Sequence, residues 1–133
     1  MNSLWNIDSG GFFMKEYRLI EAESRLADII WTNEPLTSPE LVKLCREELN
    51  WKKSTTYTML KKLEIKKIFI NKNSIVSSLL SEEELYAEQS RQIVEEGFDG
   101  SLPRFLTAFT RDKKLTSKEI RELERLIDQH RED

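Results

Sequence analysis

The sequence has a single cysteine, Cys45, and a single histidine, His130, and each scarcity removes a branch of chemistry. One thiol cannot close an internal disulfide, and without a second histidine or a cysteine cluster a zinc site lacks ligands. Cys45 lies inside an apolar helical pattern and reads as a small buried hydrophobe, while His130, three residues from the end, reads as solvated. No apolar run approaches the roughly 20 residues a membrane span requires, so no membrane insertion is expected and the chain is read as cytoplasmic. Also missing are a nucleophile paired with a base, a glycine-rich phosphate loop and a His/carboxylate ligand set. The chain is therefore not expected to be an enzyme, nor to hold a cofactor or metal. Two carboxylate clusters have simpler explanations. Glu82, Glu83 and Glu84 open a helix, where negative charge is favoured, and Glu119, Glu122 and Glu124 share an exposed face with Lys118, Arg121 and Arg125.

What is present suits a helix-rich protein about one average domain in size, with 34% charged and 38% hydrophobic residues. The net charge of −3 conceals a division: residues 14–80 carry 12 Lys/Arg against 9 Asp/Glu, and residues 81–133 carry 9 against 14. Within Trp51 to Lys72, seven lysines (Lys52, Lys53, Lys61, Lys62, Lys66, Lys67 and Lys72) stand against one acid, Glu64. Where charge lies, rather than its sum, decides what a surface attracts, and this stretch points to a polyanion.

Apolar periodicity orders the rest. Residues 1–13 (MNSLWNIDSGGFF), broken at Ser9-Gly10-Gly11, are expected to be a disordered extension or an artefact of start-site choice, with Met14 as the true start in the latter case. Ala22, Leu26, Ile29 and Ile30 recur at one-face helical spacing, and that helix ends near Thr32-Asn33. Glu34-Pro35 imposes extended backbone, Leu36-Thr37 suits a short strand, and Thr37-Ser38-Pro39-Glu40 is a capping box that starts a second helix at about Ser38. That helix buries Leu41, Val42, Leu44, Cys45 and Leu49. Ser54 or Thr55 is expected to cap a third helix with Met59, Leu60 and Leu63 inward and Tyr57, Thr58, Lys61 and Lys62 outward. β-favouring residues follow, Ile68-Phe69-Ile70 and Ile75 to Leu79, around the turn formers Asn71-Lys72-Asn73-Ser74. In the second half, Ser81-Glu82-Glu83-Glu84 opens a helix to about Glu95, broken by Gly97 and Gly100. A fifth helix carries Leu102, Phe105, Leu106 and Phe109, and Thr116-Ser117-Lys118-Glu119 caps a sixth bearing Ile120, Leu123, Leu126 and Ile127.

The fold class is thus mainly α: an N-terminal winged helix-turn-helix over residues 14–80, three helices plus a β-hairpin wing, followed by a C-terminal helical region over 81–133. So short a region cannot bury its apolar stripes alone. A homodimer is expected, joined through Leu102, Phe105, Leu106, Phe109, Ile120, Leu123 and Ile127. An α-helix fits the major groove of double-stranded DNA, where base edges are distinguishable. The hydroxyls of Ser54, Thr55, Thr56, Tyr57 and Thr58 can hydrogen-bond to phosphates or bases. Lys61 and Lys62 can reach guanine or phosphate, and Lys52, Lys53 and Lys66 suit phosphate anchoring. Lys72 at the wing tip suits a minor groove or a phosphate. Two-fold symmetry would match a palindromic operator. The alternative is a winged-helix adaptor that contacts proteins and not DNA.

Ala22-Glu23, Ile29-Ile30-Trp31, the run from Ser54 to Leu63 and Ser81-Glu82-Glu83-Glu84 resemble successive signatures of the BlaI/MecI/CopY family of penicillinase-type repressors, over about Leu19 to the C-terminus. The resemblance implies an operator-reading winged helix, a dimerising C-terminal region and repression of transcription, with a β-lactam-resistance or related stress operon among the targets. It also implies a membrane sensor-protease pathway as the inducing route. This sequence departs from the family in three places. Lys66-Lys67 stands where Lys-Gly is common, and Ser77-Ser78 where the wing usually ends in Tyr. Ala108-Phe109 stands where the antibiotic-resistance branch is cleaved at Asn-Phe. The cysteine cluster of the copper-responsive branch is absent.

Overall fold

The computed structural model describes residues 17–132; the extension expected over residues 1–13 and the start at Met14 lie outside the described residues. In chain order the elements are α1 (Glu21–Asn33), β1 (Leu36–Thr37), α2 (Ser38–Leu49), α3 (Lys53–Ile65), β2 (Phe69–Lys72), β3 (Ile75–Ser78), α4 (Glu82–Gly97), α5 (Leu102–Phe109) and α6 (Ser117–Gln129). Three helices and a small antiparallel sheet of order β1-β3-β2 make a winged helix, and three further helices follow it.

Local chemistry sets the helix starts. Thr37 Oγ1 accepts the Glu40 N–H at 3.1 Å while Glu40 returns to the Thr37 N–H at 2.7 Å, and Ser81/Glu84 and Thr116/Glu119 repeat the exchange at α4 and α6. α2 stops at Asn50, which takes the left-handed conformation (φ 57°). α3 stops in the same way without glycine or asparagine: Lys67 has φ 63°, its N–H reaches the Glu64 carbonyl at 2.9 Å, and the Ile68 N–H reaches Leu63 at 3.2 Å. This is a Schellman closure, with Leu63 and Ile68 both in the core.

The core is built where α1, α2, α3 and the sheet meet. Leu26, Ile30, Leu41, Leu60, Leu63, Ile68 and Phe69 are enclosed there, each contributing about 1.5–3 kcal/mol by leaving water. Trp31 covers one edge, its ring 5.2 Å from that of Phe69 and its Nε1 donating to the Leu80 carbonyl at 3.0 Å. Leu85 brings the first turn of α4 into the same core. Beyond it the character changes, since neither α5 nor α6 has a buried residue.

The hairpin is tighter than the sequence suggests. Asn71 and Lys72 belong to β2 and not to the turn, because Lys72 pairs with Ile75 and leaves only Asn73-Ser74 to reverse the chain. Both turn residues have positive φ (53° and 63°), the backbone that matches a two-residue reversal to strand twist. β1 pairs Leu36 with Val76 and Thr37 with Ile75, which sets β3 against the strand that leads into α2. Glu34 extends that edge: its carboxylate accepts both the Ser78 N–H (2.6 Å) and the Ser78 hydroxyl (2.9 Å).

Candidate nucleic-acid interface

α3 presents two faces of opposite character. Thr56, Met59, Leu60 and Leu63 are buried at i, i+3, i+4, i+7, and Ser54, Thr58, Lys61, Lys62 and Ile65 form an exposed stripe at i, i+4, i+7, i+8, i+11. Thr55 and Tyr57 are half-buried at the margin, while Lys52 and Lys53 are exposed where the helix begins. Lys72 is exposed at the end of β2, one residue from the hairpin turn. Among the described residues, Lys52, Lys53, Lys61, Lys62 and Lys72 have no ion-pair partner, so their charge is not neutralised internally.

The start of α3 differs from the expectation. Ser54 and Thr55 do not cap it: the helix begins at Lys53, the N-cap position belongs to Lys52, and no side chain accepts a first-turn N–H there. The reason is phase. Thr56 must face inward to join the Met59/Leu60/Leu63 stripe, which puts Ser54 and Thr55 inside the first turn. The uncapped N–H groups and the positive end of the helix dipole lie beside Lys52 and Lys53, an arrangement that attracts anions such as phosphate oxygens.

Two residues leave the expected contact set. Thr56 is fully enclosed, its hydroxyl 3.4 Å from the Lys52 carbonyl, so it has no surface to offer DNA. Its spacing from Met59 and Leu60 carries that information in the sequence. Lys66 turns away from the stripe and is only 20% exposed, its ammonium 2.8 Å from both the Glu23 carboxylate and the Arg18 carbonyl. Glu23, 3% exposed, also accepts the Ile20 N–H at 3.0 Å. The pair therefore ties the start of α1 to the end of α3, a use of lysine that no local pattern announces. Two apolar side chains share the outer surface without having been singled out from sequence: Ile65, 70% exposed on the α3 stripe, and Ile75, exposed opposite Lys72. Helical spacing from Thr58 and Lys61 marks the first.

Cys45 is buried in α2, and burial pushes its thiol above the ordinary range, with smaller opposing help from the Thr56 hydroxyl and a further upward push from Glu48. It is a packing residue. No group of three or more His, Cys, Asp or Glu side chains suited to a metal occurs among the described residues.

The seven apolar residues expected to join two copies are all uncovered to some degree. Leu102, Phe109, Ile120 and Ile127 are exposed, and Phe105, Leu106 and Leu123 are half-buried. Phe105 lies edge-on to Phe98 at 5.3 Å and stacks on Phe109 at 6.0 Å, so α5 carries a ladder of aromatic rings open on one side. Ala108-Phe109 is exposed in the last turn of α5. No helix among the described residues is long and apolar enough to cross a membrane.

Comparison with known proteins agrees with this architecture. A family profile described as penicillinase repressor matches residues 19–129. A penicillinase repressor from Bacillus licheniformis is 23% identical over 119 residues, which cover 86% of this chain and 92% of that protein. With the winged helix in place and the profile spanning nearly all of the described residues, the chain belongs to the penicillinase repressor family of transcriptional regulators.

Proposed function

We propose that the protein is a dimeric, sequence-specific DNA-binding repressor acting in the cytoplasm on a palindromic operator, with residues 14–80 reading DNA and residues 81–133 holding two copies together. The observation that carries this reading is the unneutralised stripe on α3. Ser54, Thr58, Lys61 and Lys62 face solvent from the helix that a winged helix inserts into the major groove, with Lys52 and Lys53 at its anion-attracting end and Lys72 on the wing. The half-buried residues Thr55 and Tyr57 border the same stripe. The open apolar faces of α5 and α6 support association, because exposed Leu102, Phe109, Ile120 and Ile127 gain by leaving water only against a second surface. Linking two half-site contacts raises affinity without new chemistry. The family resemblance suggests control of a β-lactam-resistance or related stress operon, with a membrane sensor-protease pathway as the inducing route, although Ala108-Phe109 lacks the Asn of the family's cleaved bond.

The test is selection of bound fragments from genomic DNA, followed by gel shifts with variants. Thr58→Ala and Lys61→Ala should weaken specific binding by about 1–3 kcal/mol and spare non-specific binding, whereas Lys52→Ala should weaken both alike. Phe109→Glu with Ile127→Glu should yield a monomer that loses the palindrome preference. A wild-type protein that shifts no fragment would instead be an adaptor.

A further inference from the structure

Among the seven lysines between Trp51 and Lys72 there is one acid, Glu64. A carboxylate there weakens attraction to a polyanion, so its place has a structural reason. From the last turn of α3, its Oε2 accepts the Asn71 N–H of β2 at 3.1 Å. Register explains why that N–H is available. β2 is an edge strand, and in a hairpin closed by Lys72 and Ile75 the cross-strand pairs alternate between bonded and non-bonded. Asn71, opposite Val76, therefore directs its N–H away from β3 and toward α3. The main-chain carbonyl of Glu64 meanwhile accepts the Lys67 N–H that closes the helix. One residue thus ends α3 and grips the strand that carries Lys72. On the other edge Glu34 holds Ser78, but that grip runs to α1 and not to the stripe-bearing helix.

We infer that Glu64 is a positioning residue that fixes the direction of the wing relative to α3, so that Lys72 meets the duplex in step with Thr58, Lys61 and Lys62. The inference rests on the DNA-binding reading above. Without the Glu64 carboxylate the wing stays paired at its base, yet beyond the closure at Lys67-Ile68 its outer strand is held to α3 only by packing, and Lys72 loses its fixed aim. Overall affinity is a poor readout, since deleting an acid also strengthens general attraction to DNA. Coupling between residues is free of that complication.

The experiment measures the salt dependence of binding to a duplex selected from a random-sequence pool on the wild-type protein. In the wild type, Lys72→Ala should lower the slope of log K against log salt by about 0.9 for each phosphate that is no longer neutralised. In a Glu64→Ala background the slope should already be lower by that amount, and Lys72→Ala should change it no further, while Lys52→Ala still does. Glu64→Gln keeps an acceptor oxygen and should restore the wild-type response to Lys72→Ala. Amide exchange at Asn71, measured without DNA, should be slow in the wild type and in Glu64→Gln and fast in Glu64→Ala. An equal fall in slope from Lys72→Ala in the wild-type and Glu64→Ala backgrounds overturns the inference, as does a Lys72→Ala that is silent in the wild type. If the wild type selects no duplex at all, the DNA reading itself fails, and the inference goes with it.

Discussion

Replacing Lys67 by glycine should make the protein more stable. Lys67 holds φ 63° in the turn that closes α3, and its own N–H and that of Ile68 are committed to the carbonyls of Glu64 and Leu63. The left-handed conformation is therefore fixed by two hydrogen bonds and by Ile68 entering the core, whatever side chain stands there. For a residue with a Cβ this conformation costs roughly 1–2 kcal/mol, and glycine avoids that cost while surrendering about 0.4–1 kcal/mol in the freedom of its unfolded chain. The Lys67 side chain is exposed and its ammonium has no partner among the described residues, so little is lost by deleting it. The net gain is about 0.5–1 kcal/mol, on the order of 2–3 °C in melting temperature for a chain of this size. Lys67→Ala is the control, since it removes the same charge and retains the Cβ. Urea and thermal melts of wild type, Lys67→Gly and Lys67→Ala at one protein concentration decide the matter, a fixed concentration being essential where association contributes. An alanine variant as stable as the glycine variant would show that strain at this φ is not the cause.

Thr56→Val should leave DNA affinity within about twofold while costing roughly 0.5–1.5 kcal/mol in stability, because the hydroxyl is enclosed and bonds the Lys52 carbonyl and does not face the outer surface; gel shifts and urea melts on one sample separate the two. Cys45 should resist a thiol-specific reagent at pH 8 in the native protein and react at the rate of global opening, as its burial and raised pKa require. Glu40 and Glu119 are held below the ordinary carboxylate range, chiefly by the backbone N–H groups of Thr37 and Thr116. A folded-state pKa lower than the unfolded one gives stability that is present above the unfolded value and fades as pH falls through the folded value. Acid titration followed by circular dichroism should therefore show a shallower low-pH loss in Glu40→Gln/Glu119→Gln than in wild type.

How far the sequence could be read depended on how local the cause was. The starts of α2, α4 and α6 are legible because Thr37/Glu40, Ser81/Glu84 and Thr116/Glu119 each complete a cap within four residues. The hairpin is legible from its β-favouring flanks, but its length is not, because only the pairing of Lys72 with Ile75 decides where strand yields to turn. Thr56 was legible by spacing and obscured by chemistry: a hydroxyl in a run of hydroxyls suggests DNA, although its phase belongs to the core stripe. Lys66 was not legible at all, since Glu23 lies 43 residues away and only the folded chain brings them together. Family resemblance marks a special backbone after α3, for Lys67 occupies in left-handed form the place where glycine is common.

Every fully buried residue among those described lies between Glu23 and Leu85, and the 47 positions from Tyr86 to Glu132 contribute none. The chain is therefore anchored at one end and open at the other. The winged half encloses its own core and calls on no second copy for it, whereas under the dimeric reading any order that α5 and α6 gain by association would follow the abundance of the protein itself. A repressor built this way would gauge its own supply: scarce, it is a set of intact but solitary readers; plentiful, it becomes a paired clamp.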